Sequence, residues 1–408
     1  MSSLGALALC SPRSWLASCA RQSILSTLTS SISVGHLTIE DAEGSHTYGA
    51  FEKDCNQVHI KVKNDNFWLR LILSGDLGFS EAYMIGEIEL PDLRAAMNLW
   101  LDNQSTMEDT LSSTYTRITS TLSSAYNSFL GQTKSNARLN VIALFKAFLS
   151  SEMMYSSEGG VRGDLEIGPF PGDLEAAQRR KIPPWLAIEA AGTFGCTVDT
   201  LTLSIEQKTL AEERIAAAGL SDKIHVHLLD YRDIPSEWEN AFDAFVSVEM
   251  LEHVGSKHYA NYFRLVSFAL KPHNATAVVS ASTFPESRYS SYQAEDFMRK
   301  YMWPNSCLPS ASALIQSASP HFNLERVENH AAHYPRTLRE WGRRLEKNLT
   351  QEMVAKDYPG LSDKHSYEAF KRKWMYLFAY AGAGFAKGYI TCHMLTFIRE
   401  NDAPELCD

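Results

Sequence analysis

Val58-His59-Ile60-Lys61-Val62-Lys63 alternates apolar and polar residues, the period of a half-buried strand. Just upstream, GHLTIEDAEGSHTYGAF (35–51) is punctuated by turn residues and reads as a small antiparallel sheet. FWLRLIL (67–73) is denser and fits either a strand or a helix. From Asp92 the period becomes helical, with Leu93, Met97 and Trp100 on one face. Residues 104–136 are rich in Ser and Thr and read as a linker with weak helical character. ALFKAFLSSEMM (143–154) returns to an amphipathic helix, SSEGGVRGDLEIGPFPGD reads as loop, and LEAAQRRKI is a helix former stopped by Pro183-Pro184.

From there the pattern is strand, helix, strand. Cys196–Leu201 reads as a strand, and Ser204 with Gln207 forms an S-x-x-Q capping box opening a helix through Ala218, stopped by Gly219. Ile224–Leu229 is a strand ending at Asp230, and Asp243–Val248 is the next. Tyr259, Tyr262, Phe263, Val266 and Leu270 then stand at helical spacing within 256–270, before a strand over Thr276–Ser280. Asn274 takes the left-handed turn between them, a conformation Asn tolerates. This alternation predicts an α/β class, a doubly wound, mostly parallel sheet, behind a small N-terminal α+β accessory domain.

At 408 residues the chain is long for one domain, and its 45% hydrophobic content is enough to bury a core. A formal charge of −10 argues against nucleic acid as a partner. Seven cysteines without a C-x-x-C pair read as reduced thiols, neither a disulfide framework nor a zinc site. Residues 1–39 hold no acid, two arginines (Arg13, Arg21) and abundant serine, a composition that fits a mitochondrial transit peptide or a frayed leader.

Three strand ends carry candidate chemistry. At Thr202-Leu203-Ser204 and Gln207, a capped helix N-terminus offers free N–H groups to a ligand, or is simply a good cap. Asp230-Tyr231-Arg232 offers an acid for an exocyclic amine and an aromatic cover for a base. Glu249, Glu252 and His253 sit where open α/β sheets bind ligands, and no second cluster completes a metal site with them.

LTLSIEQ, LLDYRDIP, SVEMLEHVGSKHYANYF and FALKP, in that order, resemble the cyclopropane-fatty-acyl-phospholipid synthase, or mycolic acid cyclopropane synthase, family of class I S-adenosylmethionine-dependent methyltransferases. FPESRYSSYQAEDFMRKYMWPNSCLPS, HYPRTLREW and WMYLFAYAGAGFAKGYI are similar to its later segments, and GDLGFSEAYMIGEIELPDL (75–93) to its accessory domain. With a leader or disordered segment over 1–34 and the linker over 104–136 read from composition, the resemblance implies an accessory domain over 35–103 and a methyltransferase domain with an inserted cap over 137–400, before a tail over 401–408. It also implies methyl transfer from S-adenosylmethionine to the cis double bond of a phospholipid acyl chain, with bicarbonate taking a proton as the cyclopropane ring closes. An alkene is a poor nucleophile, so the methyl must be held in line in a dry pocket. By the resemblance, Glu252 and Tyr334 are catalytic-site residues, with Ser157 and Ser280 at positions where the family often has Cys and His or Gln. Thr202, Leu203, Ser204 and Gln207 match the ribose and methionine segment, and Asp230, Tyr231 and Arg232 the adenine contacts. A cytoplasmic protein touching the membrane peripherally is implied, and a homodimer suits the family. Alternative readings are a sister lipid C-methyltransferase and a lipid-binding relative without catalysis.

The chain departs from the family at two junctions. The acid and G-x-G-x-G turn that should follow the sheet's first strand are missing where LEAAQRRKI and LAIEAAGTFGCTV are joined by Pro183-Pro184-Trp185 alone. An H-Y-D-x-S-N element is missing after Ala143, and the family's C-E-A-G-F reads Ala381-Gly382-Ala383-Gly384-Phe385, without its carboxylate. Loss of a central first strand predicts two unpaired interior edges, at ~1–3 kcal/mol for each buried unpaired group. The matching flanks point to coding sequence skipped or mis-joined at both places. Sequencing the transcript across Ala143–Leu144 and Ile182–Trp185 should reveal inserted codons, and uninterrupted reads would exclude this origin.

Overall fold

The computed structural model describes residues 12–51, 56–106, 183–293, 295–303, 306–400 and 402. Ser157, most of the 104–136 segment, the 143–154 helix and LEAAQRRKI lie outside them. The described residues divide into two compact units. One takes those before residue 154, Ala294–Pro304 and Tyr334–Lys387; the other takes those from 155 to Gln293, Asn305–His333 and those from Gly388.

The first unit is built on a four-stranded sheet of order β2-β1-β3-β4: β1 (His36–Asp41), β2 (Gly44–Gly49), β3 (Gln57–Val62) and β4 (Ile88–Glu89). The alternation seen in the sequence holds, with Val58, Ile60 and Val62 buried and their neighbours exposed. The sheet is mixed, however: β1 is antiparallel to β2 but parallel to β3. The expected leader is also corrected, because Pro12–Ser31 form helix α1, whose Ala17, Ala20 and Leu25 join the core of this sheet. Arg21 of that helix is buried and donates to Asp41 at 2.6 and 3.2 Å, so it serves as an internal ion pair. Asn103 ties the end of α1 to α3 (Leu93–Asp102), accepting from the Ser33 and Val34 N–H groups and donating to the Val34 and Leu99 carbonyls.

FWLRLIL proves helical, as the start of α2 (Asn66–Ile85). Its seven residues place Phe67, Trp68, Leu69 and Arg70 inside, which no two-faced strand would do. The helix is interrupted at Gly75 (φ 50°, ψ −126°). Beyond the break, a Cβ on Gly78 would stand 2.1 Å from the Arg70 carbonyl, so only glycine permits this fold-back. Together they bring Arg70 and Glu81 within reach of each other.

Arg70, 2% exposed, donates to Glu87 at 2.8 Å and to Glu81 at 3.4 Å. Glu81 also accepts from Lys300 Nζ and Tyr301 Oη, each at 2.8 Å. Ala294–Pro304 and the helices α9 (Tyr334–Asn348), α10 (Gln351–Asp357) and α11 (Lys364–Ala386) thus belong with the N-terminal sheet. This differs from the single 137–400 domain drawn from the sequence. The reason is the Glu81 cluster and the packing of α11 on α2 and α3, contacts between residues far apart in the chain.

The second unit carries the parallel strands. β5 (Val198–Thr202), helix α5 (Ile205–Ala217) and β6 (Ile224–Leu228) form a parallel pair, preceded by helix α4 (Pro183–Phe194). β7 (Ala244–Val248), α6 (Leu251–Val254), α7 (Tyr259–Ala269) and β8 (Thr276–Thr283) form another. Helix α8 (Ala311–Ala318), β9 (Asn323–Asn329) and β10 (Thr391–Ile398) complete a sheet of order β7-β8-β10-β9, with β10 antiparallel to both neighbours. Asn274 stands at φ 53°, as its place in the turn before β8 predicts. β5 and β6 form a separate two-stranded sheet.

Removing one carboxylate from the Glu81 cluster leaves Arg70 with a buried, undercompensated charge. Glu81→Ala should therefore lower the stability of the first unit by ~3–5 kcal/mol in urea denaturation. A loss under about 1 kcal/mol would mean that the cluster is dispensable.

Candidate active site

β7 ends at Val248, and the next residue carries the chain away from the sheet. The Glu249 N–H still donates to the Ser280 carbonyl of β8 at 2.8 Å, extending the ladder by one bond. Its φ of 51° then places a non-glycine residue in the left-handed region, where strain is tolerated mainly at functional turns. That turn starts α6 and returns Glu252 toward the strand ends.

Glu252 is 6% exposed. Its Oε1 accepts from the Ser282 N–H at 2.5 Å, and its own carbonyl accepts from the Cys307 N–H at 2.8 Å. Oε2 is buried with no hydrogen-bond partner among the described residues. Burial, reinforced by the charge of Glu249, pushes the Glu252 carboxyl up to about 8. At neutral pH it is therefore a neutral acid with a free polar oxygen, able to give or take a proton in a dry setting. The Glu249 and His253 side chains are exposed, whereas Glu252 is buried. Beneath it, Tyr262 of α7 is buried, its ring edge-on to Tyr231 at 5.6 Å and to Phe245 at 6.1 Å.

The other described candidates of the second unit fall at three places. Ser280 is half-buried on β8, its Oγ 3.9 Å from Cys392 Sγ. At the end of β5, Ser204 caps α5 by accepting from the Gln207 N–H at 3.2 Å. Gln207 Oε1 accepts from Thr202 Oγ1 at 2.7 Å, and Thr202 Oγ1 accepts from the Ser204 N–H at 3.1 Å. Leu203, 74% exposed, projects from this turn. Asp230 and Arg232 form a two-pronged pair at 2.9 and 2.6 Å, and Arg232 holds the Asp230 carboxyl down at about 2. Tyr231, half-buried beside them, links this turn to α7.

Tyr334 belongs to the first unit, where its ring stacks on Phe385 at 4.3 Å. Ala381, Gly382, Ala383, Gly384 and Phe385 are all buried along α11. A Cβ on Gly382, where the family pattern has a carboxylate, would meet Leu338 of α9 at 3.8 Å, an ordinary contact. Sequence reasoning missed the Ser282 N–H and the Cys307 segment as partners of Glu252. Ser282 pairs with Cys392 across β8 and β10, and only that pairing fixes its N–H direction.

Residues 185–395 match the mycolic acid cyclopropane synthetase family. The tuberculostearic acid methyltransferase UfaA1 of Mycobacterium tuberculosis is 30% identical over 358 residues, covering 80% of this chain and 79% of the relative. The cyclopropane-fatty-acyl-phospholipid synthase of Escherichia coli K12 is 31% identical over 352 residues, covering 79% and 84%. A sphingolipid C9-methyltransferase of Emericella nidulans is 25% identical over 217 residues, covering 52% and 40%. Four-fifths of 408 residues is about 326, some thirty short of the 358 aligned with the mycobacterial enzyme, so this chain skips positions that its relative fills. Among solved structures, a coclaurine N-methyltransferase has the same fold, with a TM-score of 0.53 at 14% identity over 78% of this chain and 98% of that one. The chain belongs to the mycolic acid cyclopropane synthetase family of S-adenosylmethionine-dependent methyltransferases.

Proposed function

We propose that this protein transfers a methyl group from S-adenosylmethionine to the cis double bond of an unsaturated phospholipid acyl chain and closes the alkylated chain to a cyclopropane. The observation that carries the reading is Glu252, a buried carboxyl with one anchored oxygen and one free oxygen at the carboxyl end of β7. Relatives named for fatty-acid, phospholipid and sphingolipid methylation support a lipid substrate.

The residues at the ends of β5 and β6 fit the adenosine part of the cofactor. The N-terminal turn of α5, capped by Ser204, offers N–H groups to ribose hydroxyls, with Thr202, Leu203 and Gln207 around it. Asp230, Tyr231 and Arg232 flank the adenine position, with the Tyr231 ring as its cover. Bound S-adenosylmethionine supplies an electrophilic methyl group, and bound bicarbonate supplies a base for the proton that the alkylated chain must lose. The free oxygen of Glu252 fits such an anion when the carboxyl is protonated and donates a hydrogen bond. Tyr334, Ser280 and Ser157 are the further catalytic candidates of this proposal. The cytoplasmic and peripheral-membrane expectation follows the lipid substrate, and no described helix is long and apolar enough to cross a membrane. The homodimer belongs to this proposal.

A second reading, a lipid-binding relative that does not hold S-adenosylmethionine, is favoured by one observation. Among the described residues, β5 pairs with β6 alone and β7 with β8 alone, so no strand and turn joins the two pairs where the cofactor would lie. Calorimetric titration of the purified chain with S-adenosylmethionine separates the two. Binding in the micromolar range supports the enzyme, and none at millimolar concentration supports the second reading. With bound cofactor, mass spectrometry of unsaturated phospholipid vesicles should show a gain of one CH2 without a new methyl terminus. A methyl branch would redirect the assignment to simple C-methylation.

Glu252 also predicts a pH dependence. Its carboxyl stays protonated in the folded chain up to about 8, while the unfolded carboxyl ionises near 4.5. The unfolded state therefore binds fewer protons between these values, and stability falls as pH rises through this window. The slope amounts to about 3 kcal/mol between pH 5 and pH 7. Glu252→Gln should flatten that part of the stability profile and lower turnover at least ~100-fold. An unchanged slope would place the raised carboxyl elsewhere.

A further inference from the structure

Helix α9 turns two unlike faces to its surroundings. Thr337, Leu338, Gly342 and Leu345 are buried at helical spacing. This side packs on α11, where a Cβ on Gly342 would stand 3.5 Å from Phe378 and the Trp341 ring meets the same Phe378 edge-on at 6.2 Å. Arg336, Arg339, Arg343 and Lys347 recur at intervals of three and four and share the opposite side. Arg339, Arg343 and Lys347 are exposed. At 1.5 Å per residue, the stripe from Arg336 to Lys347 is about 16 Å long.

A charged helix face is ordinarily just solvated, and its charges alternate in sign so that neighbours pair. Three observations set this one apart. α9 holds five cations against two acids, in a chain whose formal charge is −10. Its acids leave most of the stripe uncompensated. Glu340 is buried and pairs with Arg343 at 2.8 Å, and Glu346 lies on the flank from which its charge reaches Tyr83 of α2. Arg336, Arg339 and Lys347 have no acid within ion-pair distance among the described residues. Lastly, Arg336 is half-buried, and its Nε is sealed from solvent without an acceptor among the described residues. A buried guanidinium N–H without an acceptor is a donor held ready for an anion that the chain itself does not supply.

We infer that this stripe is a docking face for the phosphate groups of an anionic phospholipid bilayer. The choice of a bilayer rests on the lipid substrate proposed above. The face itself favours it over an acidic protein, because no large apolar side chain of α9 is exposed, whereas protein interfaces are centred on apolar and aromatic anchors. A straight row of guanidinium and ammonium groups matches a plane of phosphates. Each cation near such a surface strengthens binding about fivefold. Arg339, Arg343 and Lys347 meet lipid phosphates, and Arg336 receives the acceptor that it lacks.

Sedimentation of the full chain with large vesicles tests the face. Vesicles of phosphatidylcholine with a share of phosphatidylglycerol should bind at least about tenfold more tightly than pure phosphatidylcholine at low salt, and about 0.5 M salt should remove the difference. Arg339→Gln, Arg343→Gln and Lys347→Gln together should cost ~100-fold in affinity for the anionic vesicles, with Tm unchanged within about 2 °C. Lys223→Gln, Arg264→Gln and Arg326→Gln make the same change of charge in the second unit and should keep most of the binding. Arg336→Met retains the apolar stem. It should weaken binding about fivefold without lowering Tm, since its Nε gives up no hydrogen bond. Equal binding by the two triple variants would overturn the inference, as would equal affinity for neutral and anionic vesicles. Inorganic phosphate that displaces vesicles better than chloride at equal ionic strength would assign the stripe to a free anion instead. Retention on immobilised polyglutamate without vesicle binding would assign it to an acidic protein. Stripe-dependent vesicle binding by a chain that transfers no methyl group would count against the proposed reaction and leave the docking face intact. Turnover of detergent-dispersed lipid without such binding would do the reverse.

Discussion

Pairing of backbone groups along strand edges is the constraint on which the second unit depends. β8 satisfies it on both sides, with β7 parallel on one edge and β10 antiparallel on the other. The β8–β10 register is unbroken from Thr391 opposite Thr283 to Ile398 opposite Thr276. That continuity fixes Ser280 and Ser282, and through them the turn at Glu249 and the anchored oxygen of Glu252. Among the described residues, pairing stops at β5 and β7, and the apolar core divides there as well. An unpaired interior edge withholds hydrogen bonds and also leaves no surface for the side chains on either face to pack against.

At Glu252, stability and chemistry pull in opposite directions. Enclosing a carboxyl in apolar surroundings is unfavourable unless it is neutral, and a single backbone N–H satisfies only part of its hydrogen-bonding capacity. A residue of this kind adds nothing to packing that Leu or Met would not supply better. The left-handed backbone at Glu249 adds local strain to the same turn. Unfavourable terms gathered at the end of one strand are a physical mark of a site shaped for chemistry.

Much of this was legible in the sequence, because the signals are local. The alternation of 58–63, the aromatic spacing of α7, the cap at Ser204 and the turn at Asn274 each follow from a few neighbouring residues. The loss of a central strand was also readable, since it is a statement about order along the chain. What escaped was set by contacts distant in sequence. FWLRLIL could not be assigned until Arg70 had its partners Glu81 and Glu87. The acid-free N-terminus looked like a leader because Asp41, the partner of Arg21, lies 20 residues on. The Gln207 side chain accepts from Thr202, five residues back, a partner that the cap pattern alone does not indicate.

The first unit draws its residues from three stretches, the first two about 140 positions of chain apart. Glu81 is made early, whereas Lys300, Tyr301 and the whole of α11 follow much later. On the ribosome, the N-terminal sheet must therefore wait, with Arg70 and Glu81 lacking part of their final shell, until the chain beyond residue 386 has emerged. Such high contact order makes folding slow and exposes unfinished surfaces to aggregation. Expression of this protein should thus respond to chaperone supply and growth temperature more than its composition suggests.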